Sequence, residues 1–424
     1  MRIAVVGAGW AGLAAAVEAT ARGHAVSLFE MAAAPGGRAR RAATDDGLVL
    51  DNGQHILIGA YRETLRLMAQ VGVDARKVLL RRPLTLAFAD GGALRLPPGP
   101  PALAFARAAL GRTGWRWRER SALLVAAGAW ACRGFRCNDA STVAELTARL
   151  PQRVRADLIE PLCVAALNTP AHAASANVFL RVLRDALFTG RGSADLLLPR
   201  VDLSALWPDA AIAWLGTRGA SVRLSNRVGR IDAEAGTGWR LDGERFDGVV
   251  FAASSVESAR LARSVAPEWA DGAQALRHEP ITTVVLRGKG VRLAQPMLAL
   301  RESPSAPAQF AFDLGSLRGI DDVFAFVISG ASAWVARGNA AIAQAVLEQA
   351  RTSLADSADA PWELVRVFTE KRATFLCTPG LRRPPQRVAA GLVAAGDYVD
   401  GPYPATLEGA VRSGVGAIAR LENP

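Results

Sequence analysis

The stretch Arg2-Ile3-Ala4-Val5-Val6-Gly7-Ala8-Gly9-Trp10-Ala11-Gly12 opens the chain with an apolar run of strand length that leads directly into a glycine-rich turn. A helical stretch follows as far as Arg22, and residues 24–29 form a second apolar run that ends before Glu30. Strand, glycine turn, helix, strand and acid therefore follow one another in the order of a βαβ nucleotide-binding unit. The sequence predicts an α/β fold that begins with such a unit.

Each glycine of this turn has its own physical role. Gly7 permits the tight turn, Gly9 lets the backbone approach a pyrophosphate, and Gly12 lets the helix pack closely on the strand. The free N–H groups and the dipole at the start of the helix favour negative charge there. Glu30 is placed to accept hydrogen bonds from ribose hydroxyls, and its charge disfavours a 2′-phosphate. The dinucleotide-binding residues predicted in this part of the chain are Gly7, Gly9, Trp10, Ala11, Gly12 and Glu30.

A second glycine motif, Pro35-Gly36-Gly37-Arg38, follows the second predicted strand. It resembles the corresponding segment of large FAD proteins of the amine oxidase and phytoene desaturase type. Gly37 would allow close approach of the backbone to the cofactor, and Arg38 would pair with the pyrophosphate. The alternative is an ordinary turn beside a solvated basic patch. FAD is the cofactor that this resemblance implies.

Two further segments resemble FAD-contacting parts of the same superfamily. Residues 394–398, Ala-Ala-Gly-Asp-Tyr, are similar to its second FAD motif. The resemblance implies that Asp397, which follows Gly396, hydrogen-bonds the ribityl chain or the pyrophosphate. Residues 225–228, Ser-Asn-Arg-Val, are similar to the place where the backbone of a valine, here Val228, contacts adenine.

Residues 402–414 resemble the closing helix of the superfamily. The resemblance implies that the start of this helix, at Thr406 and Leu407, points at the pyrimidine ring of the flavin. The positive end of a helix dipole at that position would stabilise negative charge on the reduced ring. The alternative is a plain packing helix with small residues along one face.

The composition excludes several classes of protein. Half of the 424 residues are hydrophobic and 21% are charged, which is typical of a globular rather than a disordered chain. We find no run of about 18 uncharged apolar residues, so no transmembrane helix is predicted. The apolar N-terminus resembles a signal peptide, but cleavage would destroy the nucleotide site. The net charge of +11 favours anionic partners, either a phospholipid surface or nucleic acid.

The cysteines at 132, 137, 163 and 377 have neither the spacing of a metal site nor that of a disulfide framework. We therefore predict no metal site and buried free thiols in a reducing cytoplasm.

The predicted chain organisation is a Rossmann-like FAD-binding domain of the glutathione-reductase type with an inserted α+β substrate domain that carries a mixed sheet and helices. The FAD-binding domain is discontinuous and comprises residues 1–75, 190–260 and 385–424. Residues 76–189 and 261–384 form the substrate-binding, membrane-facing domain. Strands are predicted at 222–232, 246–253, 281–286, 297–300, 308–313, 323–328 and 362–369, and helices at 102–110, 121–132 and 340–354.

Two internal segments are candidates for chemistry. In Asp51-Asn52-Gly53-Gln54-His55, the histidine lies among hydrogen-bonding side chains, and its ordinary pKa is near neutral pH, so His55 is a candidate proton donor. Its alternative role is to order the loop or to hydrogen-bond the flavin. In residues 160–170, Asn168 and Thr169 lie between an apolar stretch and a proline. They either close a helix inside an apolar pocket or simply cap that helix.

The segment Trp115-Arg116-Trp117-Arg118-Glu119-Arg120 precedes the apolar stretch 121–132. Interleaved aromatic and basic residues beside an apolar helix suit a membrane interface. The same pattern also suits stacking on single-stranded nucleic acid, or a solvated helix face with partly buried tryptophans.

Taken together, the motifs resemble the hydroxysqualene dehydroxylases, which are also described as squalene-associated FAD-dependent desaturases of hopanoid pathways. The resemblance covers essentially the whole chain. The motifs at 51–55 and 404–414 are shared widely with amine oxidases and phytoene desaturases, whereas those at 161–170 and 196–204 are more particular.

This resemblance implies that reduced FAD delivers hydride to an allylic carbon of hydroxysqualene while the hydroxyl leaves as water, giving squalene. An acid must then protonate or polarise the leaving oxygen, and the candidates are His55, Tyr403 and Asp51. Gln54, Asn168 and Thr169 are candidates for the substrate pocket. The sequence names no electron donor.

The resemblance also places the protein in the cytoplasm, peripherally on the inner face of the plasma membrane. There it would receive substrate from an upstream synthase-like enzyme, and no nucleic acid would take part.

Four alternatives stay open. An oxidative carotenoid-type desaturase would share the fold and differ only in the direction of hydride flow. An amine oxidase would need an aromatic cage, which would have to use two of Tyr61, Tyr398 and Tyr403. The positive charge motivates a nucleic-acid-binding flavoprotein. A non-catalytic lipid-binding subunit would hold FAD only as a structural group.

Overall fold

The computed structural model describes residues 1–43, 47–234, 238–354 and 360–423. Its strands are β1 (Arg2–Val6), β2 (Ala25–Phe29), β3 (Arg41–Ala43), β4 (Val49–Asp51), β5 (Leu57–Ile58), β6 (Leu79–Arg82), β7 (Thr85–Ala87), β8 (Ala93–Arg95), β9 (Leu196–Pro199), β10 (Ser221–Arg223), β11 (Ile231–Ala233), β12 (Trp239–Leu241), β13 (Glu244–Phe246), β14 (Gly248–Phe251), β15 (His278–Gly288), β16 (Met297–Ala299), β17 (Phe310–Asp313), β18 (Val323–Ile328), β19 (Trp362–Phe375), β20 (Arg387–Ala389) and β21 (Leu392–Ala394).

Helices surround these strands. They are α1 (Trp10–Ala21), α2 (Arg62–Gln70), α3 (Ala75–Val78), α4 (Pro101–Leu110), α5 (Trp117–Cys132), α6 (Val143–Leu146), α7 (Gln152–Val154), α8 (Glu160–Leu167), α9 (Ala176–Leu187), α10 (Leu203–Leu206), α11 (Pro208–Gly216), α12 (Ser255–Ala262), α13 (Pro267–Gln274), α14 (Leu314–Arg318), α15 (Ser332–Val335), α16 (Asn339–Ser353) and α17 (Leu407–Glu422). A π-helical turn, Arg155–Ile159, leads into α8.

The first sheet confirms the predicted α/β class. Its order is β10-β2-β1-β14-β21-β20, and every neighbouring pair is parallel except β20–β21. Four of the five residues in both β1 and β2 are buried, as expected for a parallel sheet that is covered on its two faces. The β1–α1–β2 unit predicted from the glycine turn is therefore present at the centre of the sheet.

The second sheet has the order β16-β17-β18-β15-β19 and is antiparallel at each of these pairings. The strands predicted at 281–286, 297–300, 308–313, 323–328 and 362–369 all lie in it. The expectation of a mixed sheet here is wrong, since β16, β17 and β18 are consecutive and their short connections suit antiparallel pairing. The division of the chain into domains at the predicted boundaries stays a proposal.

The strand predicted at 222–232 is also wrong, because the segment is divided between two sheets. β10 joins the parallel sheet beside β2, whereas β11 begins a separate antiparallel sheet with β12 and β13. Ser225 lies between them with φ of 51°, a left-handed conformation that turns the chain. Both strands are only three residues long, so the hydrophobic pattern alone does not reveal the turn between them.

Two glycines let α1 approach its neighbours closely. A Cβ on Gly12 would lie 1.8 Å from the carbonyl oxygen of Gly7, which belongs to the preceding turn. A Cβ on Gly414 of α17 would lie 2.2 Å from the carbonyl oxygen of Ala11 on α1. The packing of α17 against the glycine-turn helix therefore depends on the absence of a side chain.

We expect Gly414→Ala to lower the free energy of unfolding by about 1–3 kcal/mol, since the new methyl group must push two helix backbones apart. Chemical denaturation of the FAD-loaded protein measures the change. Gly272→Ala in α13 is the matched control, because a Cβ there would meet no atom within 4 Å. Equal stabilities of the two variants would contradict this account of the α1–α17 contact.

Candidate active site

A single cavity of about 1030 Å³ runs from the glycine turn after β1 to the helices α4, α5 and α9. One end is formed by backbone and polar groups, and the other end by aliphatic and aromatic side chains. Such a space, long and polar at one end only, suits two ligands of different character that meet near its middle.

The polar end is built around two glycine segments that lie edge to edge. The N–H of Gly36 donates to the carbonyl oxygen of Ala8 at 2.8 Å, and Gly9 pairs with Gly36 as an isolated parallel bridge. A Cβ on Gly37, where φ is 60°, would come within 3.2 Å of the Gly9 Cα. The two segments therefore form one backbone cradle, in which a side chain at position 37 would be crowded and strained.

Glu30 holds this cradle in place. Its carboxylate accepts hydrogen bonds from the N–H of Ala8 at 2.7 Å and from the N–H of Ala32 at 2.8 Å, each on a different oxygen. Each carboxylate oxygen has a second lone pair, so both still have the capacity to accept from a ribose hydroxyl. The structure thus gives Glu30 a role that the sequence did not predict, beside the predicted one.

Arg38 and Asp397, which were predicted to contact the cofactor separately, bond directly to each other across the cavity wall. Arg38 also donates to the carbonyl oxygens of Arg372 at 3.1 Å and Ala373 at 2.7 Å. Burial is the largest single effect and lowers the pKa of Arg38, but the charge and hydrogen bond of Asp397, together with Glu370 and Tyr398, outweigh it, and the pKa of Arg38 is raised. The pair is therefore a fixed, charged element of the polar end.

The start of α17 also faces the cavity. Thr406 caps the helix by accepting from the N–H of Gly409 at 3.0 Å, and its hydroxyl donates to the carbonyl oxygen of Tyr403 at 2.7 Å. Leu407 and Ala410 line the same wall. The free N–H groups of this first turn place partial positive charge there.

All but one of the predicted cofactor residues line the cavity. They are Gly7, Gly9, Trp10, Ala11, Glu30, Gly37, Arg38, Val228, Gly396, Asp397, Thr406 and Leu407. The exception is Gly12, which lies behind the turn and serves packing, the role predicted for it. A Cβ on Gly9 would meet no protein atom closer than 3.9 Å, so the cradle is open toward the cavity. The residues present fit a dinucleotide cofactor laid along this end.

His55 and Gln54 line the middle of the cavity. The Nδ1 atom of His55 lies 2.9 Å from the carbonyl oxygen of Gly53, which can only accept, so the proton of the neutral ring is on Nδ1. Burial lowers the pKa of His55. The ring is therefore mostly neutral at pH 7, with an unprotonated Nε2.

Asp51 is not among the described residues that line the cavity. It forms a buried ion pair with Arg318 at 3.0 Å and accepts from the N–H of Leu203 at 2.9 Å. Burial raises the pKa of Asp51 to about 6, against the opposing effect of Arg318. The geometry does not support the predicted role of Asp51 as the acid, and indicates that it joins β4 to two distant parts of the chain.

Thr169 is likewise absent from the described lining. Its hydroxyl donates to the carbonyl oxygen of Leu167 and accepts from the N–H of Cys377 at 3.3 Å. Asn168 lines the cavity, but its side chain bonds the carbonyl oxygen of Glu279, the hydroxyl of Thr374 and the N–H of Gly330. The capping alternative therefore describes Thr169, and Asn168 ties the end of α8 to the second sheet.

Tyr61 and Tyr403 meet at the cavity wall. Their ring centroids are 6.3 Å apart with an interplanar angle of 85°, and the guanidinium of Arg412 lies 4.9 Å above the Tyr403 ring. Burial raises the pKa of both phenols, which keeps them protonated. Tyr398 is buried next to Asp397 and is not part of the pair. The edge-to-face arrangement is not the pair of parallel faces between which an amine would lie.

The far end of the cavity is apolar. Among the described residues 84–196 that line it, none is charged and the polar ones are Thr85 and Asn168. This region, which we call the apolar arm, is contributed mainly by β7, α4, α5, α8 and α9. Three phenylalanines in it form a cluster that sequence reasoning missed, Phe105, Phe135 and Phe188.

A second residue missed from the sequence is Glu408, which is fully buried near the start of α17. It accepts from the N–H and the hydroxyl of Thr64 at 3.0 and 2.7 Å and from Arg412 at 2.7 Å. It thereby satisfies a free backbone N–H group in the first turn of α2, the helix that directly follows Tyr61. An acid in the closing-helix motif was the available signal, but its partner Thr64 is 344 residues away.

Other sequence predictions have mixed outcomes. All four cysteines are free thiols, but only Cys163 and Cys377 are buried, so the prediction of burial is wrong for the other two. Within the described ranges we find no grouping of three His, Cys, Asp or Glu side chains arranged to hold a metal ion. None of the helices in these ranges combines the length and apolarity that crossing a bilayer requires.

Comparisons with known proteins agree with this architecture. A family model described as flavin containing amine oxidoreductase matches residues 10–421. The hydroxysqualene dehydroxylases of Zymomonas mobilis and Rhodopseudomonas palustris are each 27% identical to this chain, and each alignment covers 97% of it and 96% of the relative. A solved oxidoreductase from Methanosarcina mazei shares the fold with a TM-score of 0.76 at 16% identity, over 99% of this chain and 100% of the other.

Proposed function

Because the chain belongs to the family of flavin-containing amine oxidoreductases and is an FAD-dependent oxidoreductase, we propose that it reduces hydroxysqualene to squalene in squalene and hopanoid biosynthesis. The observation that carries this proposal is the apolar arm, which joins the cofactor end of the cavity and presents no charged side chain between residues 84 and 196. A long hydrocarbon gains free energy from such a surface, whereas a hydrophilic amine does not.

The chemistry requires a hydride donor and an acid. Bound FAD in its reduced form supplies the hydride, while the hydroxyl group takes up a proton and leaves as water. The apolar arm holds the hydrocarbon and excludes water, so that binding energy is used for positioning. His55 and Tyr403 line the middle of the cavity and are the candidates for transferring or directing the proton.

The two candidates differ in their expected dependence on pH. A neutral His55 donates its one ring proton to Gly53, so it can serve as an acid only after Nε2 is protonated. The raised pKa of Tyr403 keeps its phenol protonated throughout neutral pH. His55 as the acid therefore implies a turnover that depends on pH, and Tyr403 implies one that does not.

If His55 is the acid, turnover falls as pH rises through its pKa, with a midpoint below the ordinary histidine value of about 6.5 because burial favours the neutral ring. We expect His55→Gln to lower turnover about 10²-fold and to remove this pH dependence while FAD stays bound. Single-turnover rates between pH 5 and 8 measure both effects. A wild-type rate that is constant over this range would instead assign the proton to another group, and Tyr403→Phe would test it.

An anaerobic experiment tests the reaction as a whole. The bound flavin is reduced, hydroxysqualene is added, and flavin absorbance is followed while the lipids are extracted. We expect reoxidation of the flavin together with the appearance of squalene in equal amount. A flavin that stays reduced would refute the proposal, provided that the protein retains FAD and its fold.

A carotenoid-type desaturase is the second candidate, since the same cavity suits a long polyene and only the direction of hydride flow differs. It predicts that oxidised enzyme, not reduced enzyme, reacts with a more saturated polyprene.

The amine oxidase alternative is disfavoured by the edge-to-face Tyr61–Tyr403 pair and by the uncharged arm. A non-catalytic subunit would leave the flavin redox state unchanged with every polyprenoid.

We also propose that the protein works in the cytoplasm at the inner face of the membrane, where a water-insoluble substrate accumulates. An upstream synthase-like enzyme would release hydroxysqualene there, and an electron donor still to be identified would reduce the flavin again. Nucleic acid has no part in this proposal.

A further inference from the structure

The hairpin formed by α4, α5 and their connection carries apolar side chains on its outer surface. Leu103 and Leu110 on α4 are exposed, and on α5 the side chains of Trp117 and Val125 are 70% and 72% exposed. Large apolar groups at this level of exposure are unfavourable in water, and four of them on one hairpin indicate a surface with an apolar partner.

The opposite side of the same helices faces the cavity. Leu123, Ala127 and Trp130 of α5 line the apolar arm. At about 100° per residue, these three lie on the face opposite Val125, whereas Trp117 lies on the flank of the helix, about 80° from Val125. Phe105 of α4 also lines the arm, whereas Leu103 and Leu110 lie on the far side of that helix. The hairpin is therefore a wall one helix thick between the substrate cavity and the outside.

The charge of the hairpin defines the kind of partner. Residues 101–136 contain seven arginines and a single acidic residue, Glu119, which is turned back to accept from the N–H of Arg116 at the start of α5. The exposed arginines are Arg107, Arg116, Arg118, Arg133 and Arg136. Arginines that surround exposed leucine, valine and tryptophan match the charge of anionic headgroups and the apolar layer directly beneath them.

The phenylalanine cluster closes the cavity beside this hairpin. The Phe188 ring, at the end of α9, lies 5.7 Å from the ring of Phe105 and 5.1 Å from that of Phe135, which follows α5. All three rings line the arm, and none is fully buried. Side chains that are not fully buried change rotamer without movement of the backbone.

We propose that the α4–α5 hairpin docks on an anionic phospholipid bilayer, so that the polyprenoid passes from the lipid past the Phe105–Phe188–Phe135 cluster into the apolar arm. The identity of the transported molecule as a polyprenoid rests on the proposed function, whereas the docking surface does not. Direct transfer avoids bringing the hydrocarbon into water, which is unfavourable for every CH₂ group exposed. Single-stranded nucleic acid fits less well, since Trp117 is the one aromatic ring among the four exposed groups and aliphatic side chains give bases no stacking surface.

Flotation of the FAD-loaded protein with vesicles tests the docking. We expect binding to phosphatidylcholine vesicles that contain phosphatidylglycerol, and much weaker binding to phosphatidylcholine alone. Trp117→Asp combined with Val125→Asp should weaken binding at least tenfold, and so should Arg116→Glu combined with Arg118→Glu. Leu364→Asp is the matched control, because this side chain is exposed on β19, outside the hairpin. Equal binding by wild type and hairpin variants would overturn the proposal, as would binding to RNA but not to vesicles.

Turnover with hydroxysqualene in two forms tests the passage. The Trp117→Asp, Val125→Asp variant should lose activity on vesicle-borne substrate at least tenfold and keep wild-type activity on substrate dispersed in detergent. An equal loss in both forms would overturn the assigned route. Because flotation needs no turnover, a protein that binds vesicles but fails to form squalene would refute the proposed function alone.

Discussion

Replacing Gly9 with leucine is expected to give a folded protein that retains no FAD. Gly9 has φ of −71°, an ordinary value for any residue, and a Cβ there would meet no protein atom closer than 3.9 Å. The larger side chain would therefore extend into the cavity, where the cradle brings backbone N–H groups to the cofactor phosphates. Because the phosphates lose that contact entirely, we expect absence of flavin absorbance after gel filtration and complete loss of turnover.

Gly9→Ala is the matched control for this experiment, since a single methyl group meets its neighbour at ordinary contact distance. It should keep most of its FAD. Circular dichroism and the denaturation midpoint of the apoprotein separate loss of cofactor from loss of fold. A yellow, fully loaded Gly9→Leu protein would place the cofactor phosphates elsewhere and contradict the assignment of the whole polar end.

The polar end was predictable because most of its parts are local. The turn after β1 is read from consecutive residues, because strand, glycine turn and helix follow one another directly in the chain. The same holds for the start of α17, where Thr406 is a cap of the preferred type. In these segments the motif is continuous in sequence, although Gly7 also packs on the distant backbone of Ala252.

The middle of the cavity was predictable only in part. Asp51 and His55 belong to one motif, yet His55 lines the cavity whereas Asp51 pairs with Arg318, 267 residues away. Thr169 meets Cys377, 208 residues away. A polar residue in a distinctive motif is a candidate for chemistry or for a buried contact. Which of these two roles the residue has depends on a distant partner that the sequence pattern does not identify.

Most of the residues that line the apolar arm lay beyond prediction for a different reason. Residues that line a cavity and residues that fill a core have the same hydrophobicity and the same helical spacing, as Leu123 and Leu167 illustrate. Only the packed structure distinguishes a wall from a filled interior. The proposed function depends on this distinction, since the arm is what favours a polyprenoid over a small amine.

Val182→Asp is expected to lower the single-turnover rate with hydroxysqualene about 10³-fold while FAD stays bound. Val182 lies on α9, is half-buried and lines the arm, as do Leu183 and Ala186 on the same helix. Hydrocarbon that fills the arm would press against an unpaired carboxylate, at a cost of several kcal/mol, and each 1.4 kcal/mol is about tenfold in the rate. Val182→Thr is the matched control, since it keeps the shape without the charge and should lose about tenfold. The rate of flavin reoxidation in a single turnover is measured for the wild type and for both variants. Equal rates in the presence of retained FAD would mean that the substrate does not occupy the arm, and would require a different site for the hydrocarbon.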